Sequence, residues 1–263
     1  MGLLCILLGL FSLSACLPEP TPLAVMTATP TPTITLTPTI TGTINWFPPT
    51  STYTVMPTRE VTPTLDPRPV LGDVLLEDPF TDKTQWQTLR TGVGSIAYGK
   101  GELTLAVSAE RGMLTSFRKS PQLSNYYLEI DVLPSLCLDG DSYGLLLRAS
   151  SPLDYYRLLV NCDGELRIER VQNGKFVILQ DWQPSGQVLP GGMLRARLGV
   201  WARAEELRIF VNDAHQFTVK DSLWASGTLG VFARASSDSP LTVNFSNLTV
   251  YNLGPSAAAT REP

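Results

Sequence analysis

The stretch Cys137–Arg170, CLDGDSYGLLLRASSPLDYYRLLVNCDGELRIER, decides the fold. Apolar and polar residues alternate through two runs on either side of Ala149–Asp154, a pattern typical of two antiparallel strands joined by a loop. The pair Asp163-Gly164 is a strong turn signal, and it predicts a third strand that ends near Arg170. We therefore expect three consecutive antiparallel strands, with a cysteine near each end of the first hairpin.

Counting outward from the loop gives the register of that first hairpin. Arg148 then faces Tyr155, and Ser142 faces Asn161. Side chains on one face of the hairpin are mostly apolar and are predicted to enter the core: Tyr143, Leu145, Leu147, Tyr156, Leu158, Val160 and Cys162. The opposite face, predicted to be exposed or to contact ligand, carries Arg148, Tyr155, Arg157 and Asn161.

The same short period continues through residues 70–253. Turn signals rich in Gly, Pro and Asx recur about every ten residues, and no sustained helical period lies between them. About a dozen strands in a segment of this length favour an all-β, two-sheet antiparallel sandwich. Residues 254–263 are small and polar and are predicted to be a disordered tail.

The N-terminal residues predict export. Residues 1–15 are almost wholly apolar and too few to span a bilayer as a helix, so they are typical of a secretory signal peptide. The run Leu13-Ser14-Ala15-Cys16 resembles the bacterial lipobox. This resemblance implies cleavage before Cys16, lipidation of its sulfur and anchoring to the outer face of the bacterial cell membrane. The basic residues that usually precede the apolar run are absent, and an ordinary signal peptide with a chance cysteine is the alternative.

Residues 16–69 are predicted to be a disordered stalk that begins at the lipidated cysteine. Between Pro18 and Pro69 there are 16 Thr and 12 Pro. Such a composition buries too little apolar surface to offset the entropy of ordering, and its prolines favour extended polyproline II structure.

Charge and histidine content exclude several functions. The chain carries a formal net charge of −4 and no basic run, which argues against a nucleic-acid partner. His215 is the sole histidine, so neither a histidine-rich metal site nor a Ser-His-Asp triad can be read from the sequence.

A set of short motifs, in this order, resembles a known superfamily. They include Phe80-x-Asp82 with Trp86, Tyr127–Asp131, Tyr143–Arg148 and Val243–Leu248. Together they resemble the concanavalin A-like jelly-roll superfamily, nearest the laminin-G-like and keto-disaccharide-hydrolase-like branch found on bacterial surface lipoproteins. The resemblance covers about residues 75–253 and implies a jelly roll that binds or cleaves carbohydrate.

Two groups of residues flank the first hairpin. Cys137 and Cys162 are the cysteines that remain after removal of the leader and lipidation of Cys16, and in an exported protein we expect them to form a disulfide. Three carboxylates lie near them and would suit calcium: Asp139, Asp141 and Asp163. Turn formation explains the same three residues without a metal.

The strand that contains Glu129 and Asp131 invites comparison with jelly-roll glycosidases of the laminarinase type. Those enzymes carry Glu-x-Asp-x-(x)-Glu on one strand, with the catalytic carboxylates on the sugar-facing side. Here Leu133 and Pro134 stand where the second Glu belongs. The missing acid/base predicts that retaining hydrolysis by this mechanism does not occur, and leaves an amphipathic strand as the alternative.

Sugar sites combine aromatic faces with planar polar groups. Seven side chains on the non-core faces of predicted strands fit this description and are expected to share one platform: Arg148, Tyr155, Arg157, Asn161, Arg195, Arg197 and Trp201. The leading hypothesis is a non-catalytic, surface-tethered module that binds carbohydrate or another cell-surface polymer. The alternatives are a glycan or keto-disaccharide hydrolase and an adhesion domain that binds protein.

Overall fold

A computed structural model describes residues 71–191, 194–236 and 240–253. The signal peptide, Cys16, the Thr/Pro-rich stalk and the tail, as predicted above, lie outside these residues. In the described part of the chain, no helix is long and apolar enough to cross a bilayer.

Fifteen strands form within the described residues, three more than the sequence pattern suggested. In chain order they are β1 (Leu71–Asp78), β2 (Leu89–Thr91), β3 (Gly94–Tyr98), β4 (Leu103–Val107), β5 (Met113–Phe117), β6 (Tyr126–Ser135), β7 (Ser142–Ser151), β8 (Asp154–Asn161), β9 (Glu165–Gln172), β10 (Lys175–Pro184), β11 (Ala196–Arg203), β12 (Glu206–Val211), β13 (Ala214–Lys220), β14 (Thr228–Arg234) and β15 (Leu241–Leu253).

These strands pair into two antiparallel sheets, as predicted. Within the described residues, the nine-stranded sheet has the order β13-β12-β11-β6-β15-β4-β3-β2, with β1 also paired to β15. The six-stranded sheet has the order β10-β9-β8-β7-β14-β5. Side chains of both sheets interdigitate in one core between them, for example Leu128 and Val250 from one sheet and Leu145 and Val231 from the other.

The first hairpin has the predicted register over most of its length. Ser142 pairs with Asn161 and Leu146 with Arg157, and the pairing continues to Leu147 and Tyr156. Because side chains alternate along each strand, this register sends every predicted core residue of the hairpin inward, and all seven are buried. Beyond Leu147 the pairing is interrupted, and it resumes only at Ser151 and Asp154.

A buried ionic cluster attaches the end of β1 to the sandwich and explains the motif around Trp86. The Asp78 carboxylate accepts hydrogen bonds from the Trp86 indole at 2.9 Å, the Arg118 Nε at 2.9 Å and the Phe80 backbone amide at 2.8 Å. Asp78 and Arg118 are both more than nine-tenths buried. A buried charge pair needs such additional hydrogen bonds, because its desolvation is otherwise too costly.

Candidate functional site

The seven predicted ligand-contacting residues do not form one platform. Arg148, Tyr155, Arg157 and Asn161 belong to β7 and β8 of the six-stranded sheet, whereas Arg197 and Trp201 belong to β11 of the nine-stranded sheet. The non-core faces of these two sheets point away from each other. The expectation of a single surface was therefore wrong, since alternation along a strand identifies a face but not the sheet to which the strand belongs.

The prediction that Arg148 is exposed was also wrong, because its side chain is fully buried. The irregularity after Leu147 gives Arg148 a positive φ of 49° and turns its side chain inward. Its guanidinium donates hydrogen bonds to three backbone carbonyl oxygens, those of Ala204 at 2.7 Å, Trp224 at 3.0 Å and Ser124 at 3.1 Å. Arg148 thus joins three separate loops and has no access to a ligand.

Tyr155, Arg157 and Asn161 lie on the outer face of the six-stranded sheet, as predicted, yet each is more than nine-tenths buried. Neighbouring side chains on that face enclose them. Arg157 forms an ion pair with Glu169, which is only 3% exposed. The Asn161 amide donates to Glu165 at 2.9 Å. These residues have partners within the fold, and little of their surface is open to a ligand.

On the outer face of the nine-stranded sheet, Asp131 lies at the base of a concave polar site. Its carboxylate is 12% exposed and has Arg195 and Arg197 at 3.5 Å each. The two guanidinium side chains are about half exposed, at 51% and 49%. Alternation along β6 and β11 brings Asp131 and Arg197 directly opposite each other. Two exposed cations therefore share one buried carboxylate.

This cavity, the Asp131 pocket, has a volume of about 300 Å³ and is lined by Asp131, Arg195, Arg197, Asn212 and Asp213. Asn212 is fixed by two hydrogen bonds, because its Oδ1 accepts from the Arg197 amide at 2.9 Å and its Nδ2 donates to the Gln187 carbonyl at 3.3 Å. Asn212 and Asp213 form the turn between β12 and β13, and no sequence pattern signals that this turn borders the site.

Asn247 completes the support of Asp131. The pairing of β15 with β6 slips between Ser246 and Thr249, and Asn247 takes a positive φ of 53°. This bulge directs the Asn247 amide towards β6, where its Nδ2 donates to Asp131 at 2.9 Å. Ser246 accepts a hydrogen bond from Arg195 at 2.9 Å. These contacts join residues 116 and 51 positions apart in the chain, so they depend on long-range pairing that the sequence pattern does not reveal.

The electrostatics of the Asp131 pocket favour the charged form of Arg197. Burial alone would lower the pKa of Arg197, but the carboxylates of Glu129 and Asp131 outweigh this effect, and the pKa is raised above its usual value. Asp213 contributes in the same direction. The pocket therefore combines positive and negative groups in similar number, with no large excess of either sign.

Trp201 lies on the same outer face but is only 8% exposed. The guanidinium of Arg208 covers its ring, with the central carbon 4.2 Å from the ring centroid. Tyr127 and Phe210 pack beside Trp201 and are likewise buried. Gly199 leaves the space that this cluster needs, because a β-carbon there would lie 2.8 Å from the Tyr127 hydroxyl. Trp201 supports the face and does not offer an open ring to a ligand.

Glu129 and Asp131 share this face, as predicted, and Leu133 follows them on it. Glu129 is half-buried and pairs across the sheet with Gly199 and Thr249. Since Leu133 has no carboxylate, the strand lacks the second Glu of the laminarinase type of site. Both carboxylate oxygens of Asp131 already have cationic or amide partners.

The three calcium candidates make contacts within the fold. Asp141 is fully buried, and its carboxylate accepts hydrogen bonds from the amides of Leu138 at 3.0 Å and Ser236 at 2.7 Å. Desolvation and the carboxylate of Asp139 raise the pKa of Asp163. Among the residues that the structure describes, no three His, Cys, Asp or Glu side chains come together in a way that could hold a metal ion.

The predicted disulfide is present. Cys137 and Cys162 are bonded, with their Cα atoms 5.6 Å apart, and the bond closes a segment of 25 residues. Cys162 is buried, and Cys137 packs against the core. The bond ties the entrance of β7 to the end of β8, as the hairpin register indicated.

Comparisons by sequence and by structure give different results. No protein-family model matches the chain, and no curated protein matches its sequence. Among solved structures, the carbohydrate-binding module CBM66 from Bacillus subtilis is similar over 64% of this chain and 96% of its own, with 17% identity and a TM-score of 0.51.

Two further structures extend the comparison. A structure described as a native glycosidic hydrolase matches 72% of this chain and 99% of its own, with 11% identity and a TM-score of 0.52. A Bacillus subtilis protein of unknown function with a galectin-like fold matches 70% of this chain and 98% of its own, with 12% identity and a TM-score of 0.52. The described residues thus share their two-sheet β-sandwich fold with a carbohydrate-binding module, a glycosidic hydrolase and a protein with a galectin-like fold.

Proposed function

We propose that the jelly-roll domain is a non-catalytic carbohydrate-binding module and that the Asp131 pocket is its sugar site. The observation that carries this proposal is the buried Asp131 carboxylate, shared by two half-exposed arginines at the base of a cavity of about 300 Å³. A fixed acceptor flanked by half-exposed planar donors suits a ligand that offers several hydroxyl groups.

The mixed charge of the pocket supports an uncharged ligand. Arg195 and Arg197 donate hydrogen bonds, whereas Asp131 and Asp213 accept them, so neighbouring sugar hydroxyls can find both kinds of partner. An anionic ligand would meet Asp213 and Glu129 near the arginines and be repelled. We therefore expect binding of neutral glycans with little dependence on salt concentration.

The contacts of Asp131 support binding over hydrolysis. A nucleophile needs an open path to the sugar, and retaining hydrolysis needs a second carboxyl group at the scissile bond. Asp131 lies against two guanidinium groups and an amide, and Leu133 occupies the position of the second carboxylate. The alternative is a glycan or keto-disaccharide hydrolase that uses Glu129. This alternative predicts that the protein cleaves a member of a keto-disaccharide panel and that Glu129→Gln abolishes the cleavage.

We further propose that the protein is exported and lipid-anchored through Cys16, with residues 16–69 as a stalk that displays the domain. The lipobox-like run Leu13–Cys16 supports the anchor, and the Thr/Pro composition supports the stalk. Expressed in a bacterial host, the protein should sediment with membranes. Cys16→Ser should shift it to the soluble fraction; a Cys16→Ser protein that still sediments would contradict the anchor.

A glycan array tests the sugar site. The purified protein should bind neutral glycans, and Arg197→Ala should weaken that binding about tenfold or more, because a hydrogen bond to a charged group is worth roughly 1.5–3 kcal/mol. Arg203→Ala is the matched control, since Arg203 is an exposed arginine at the other end of β11. An array with no bound glycan, or equal loss of binding in the two variants, would overturn the assignment and leave a protein-binding adhesion domain.

A further inference from the structure

A second group of side chains lies on the outer face of the six-stranded sheet, far in the fold from the Asp131 pocket. Arg167 on β9 lies between two aromatic rings of β10, with its guanidinium carbon 5.6 Å from the Phe176 centroid and 5.7 Å from the Trp182 centroid. Phe176 is 56% exposed and Trp182 is half-buried. Cation–π contact thus orients the largely exposed Phe176 ring and the Trp182 ring, which packs against the buried cluster around Tyr155 and Val171 and keeps part of its surface exposed.

A bulge in β10 places an acidic side chain beside Trp182. Gln180 pairs with Ile168 and Gln183 with Leu166, so both Asp181 and Trp182 stand opposite the single residue Arg167. Asp181 is 71% exposed, and its Oδ1 is 3.9 Å from Arg167 and accepts a hydrogen bond from the Trp182 amide at 2.9 Å. The bulge therefore presents a carboxylate and an indole ring next to each other.

A buried ionic network holds Arg167 in place. Glu169, which is 3% exposed, accepts hydrogen bonds from Arg167 at 2.9 Å on one oxygen and from Arg157 on the other. Arg157 packs in turn over the Phe232 ring at 5.7 Å. Because each member is fixed by the next, the rings that flank Arg167 are oriented before any ligand arrives.

We propose that Phe176, Arg167, Asp181 and Trp182 form a second carbohydrate-binding surface, with a sugar ring stacked on Trp182 and its hydroxyls bonded to Asp181. Aromatic faces beside an exposed carboxylate are the groups that recognise sugars. The positive charges of Arg157 and Arg167 are balanced by Glu169 and Asp181, so the surface suits a neutral ligand, like the Asp131 pocket.

The size of the exposed apolar area favours a sugar over a protein partner. On this face of β10 only Phe176 and Ile178 are large, apolar and largely exposed, and together they offer on the order of 200 Å². A stable protein interface buries roughly 800 Å² from each partner, of which on the order of 450 Å² is apolar. One or two sugar rings fit the smaller area.

The two sites lie on the outer faces of opposite sheets, so one domain would bridge two glycan chains. This inference rests on the proposed function for its ligand class, carbohydrate, but it depends on different residues. The two sites can therefore be tested separately, with Arg197→Ala for the Asp131 pocket and Trp182→Ala for the second surface.

The test uses the purified protein with soluble neutral polysaccharides, namely β-glucan, xylan, mannan and galactan, in affinity electrophoresis and turbidity assays. Wild-type protein should be retarded and should cross-link the polysaccharide into a turbid suspension. Arg197→Ala and Trp182→Ala should each remain retarded but lose the turbidity, and the double variant should lose both. Trp182→Phe, which keeps a ring, should retain part of the cross-linking.

Lys175→Ala, an exposed change at the start of β10, is the control and should behave as wild type. Unchanged turbidity in a folded Trp182→Ala protein would overturn the second site and leave the Asp131 pocket unaffected. Trp182-dependent binding of extended peptides in place of polysaccharides would also overturn it. If Trp182→Ala abolished retardation in the polysaccharide gel and Arg197→Ala had no effect, the assignment of the Asp131 pocket as a sugar site would instead be rejected.

Discussion

Arg148 offers the sharpest test of how this fold is held together, because a buried cation can either stabilise or destabilise a protein. The structure shows no exposure of Arg148 and gives its guanidinium three backbone carbonyl partners at 2.7–3.1 Å. Burial lowers the pKa of this arginine, which shows that the surroundings penalise its charge. Replacing it with methionine removes the charge and all three hydrogen bonds.

The magnitude follows from two opposing effects. Three hydrogen bonds to a charged group contribute about 5–9 kcal/mol in total, whereas removing the cation from the interior recovers several kcal/mol of desolvation. The carbonyls of Ser124, Ala204 and Trp224 would then lack their donor. We expect Arg148→Met to lower the free energy of unfolding by about 3–5 kcal/mol, a large part of a typical domain's stability.

Urea unfolding of Arg148→Met and Arg148→Lys measures which effect dominates. Lysine keeps a cation that can reach part of the carbonyl set, so we expect Arg148→Lys to be destabilised less than Arg148→Met. Glycan affinity of the folded lysine variant should equal that of wild type, since Arg148 cannot contact a ligand. A methionine variant as stable as wild type, or more stable than the lysine variant, would refute the reasoning.

Three further predictions concern stability and titration. Hydrogen bonds from Thr84 and Gln85 lower the pKa of Asp82 to about 2, and NMR of the carboxyl carbon should show this value in the wild type and a higher one in Thr84→Val. A lowered pKa stabilises the folded state fully only above the pKa of the unfolded state, near 3.8. The stabilisation from Asp82 should therefore disappear as the pH falls from 4 to 2. The double variant Cys137→Ser, Cys162→Ser should lose about 3 kcal/mol in urea unfolding, from the 25-residue separation of the cysteines, and an unchanged midpoint would contradict this. A β-carbon on Gly227 would overlap the backbone of Arg148, so Gly227→Ala should cost about 1–3 kcal/mol, and a wild-type melting temperature would show that the loop can move.

Much of the fold could be predicted from the hairpin, because local alternation records it directly. Ser142 to Leu147 pair with Tyr156 to Asn161 as counting from the loop requires, and the disulfide follows from the same register. The prediction failed at Arg148, where a backbone irregularity reverses the direction of one side chain. The sequence around Arg148 gives no sign of this irregularity. The three carbonyl groups that hold the arginine in its buried position belong to residues far away in the chain.

The candidate site was predicted only in part. Arg197 lies on the non-core face of its strand, as alternation predicts, whereas Arg195 precedes β11 and is positioned by its contacts with Asp131 and Ser246. The assignment of β8 and β11 to different sheets depends on long-range pairing, so the sequence wrongly merged two surfaces into one. Asn247 and Asp213 reach the site through a bulge and a turn, whose positions are set by strands far away in the chain.

Chemical-shift mapping of the protein with the glycan that binds most strongly on the array tests the carbohydrate site most directly. Titration should move the backbone amides of Arg197, Asn212 and Asp213 and the side-chain amide of Asn247, while the amides around Arg148 stay unchanged. The size of these chemical-shift changes at a given glycan concentration should be similar in low and high salt. Shifts that spare the Asp131 pocket, or that appear only with acidic glycans, would contradict the account.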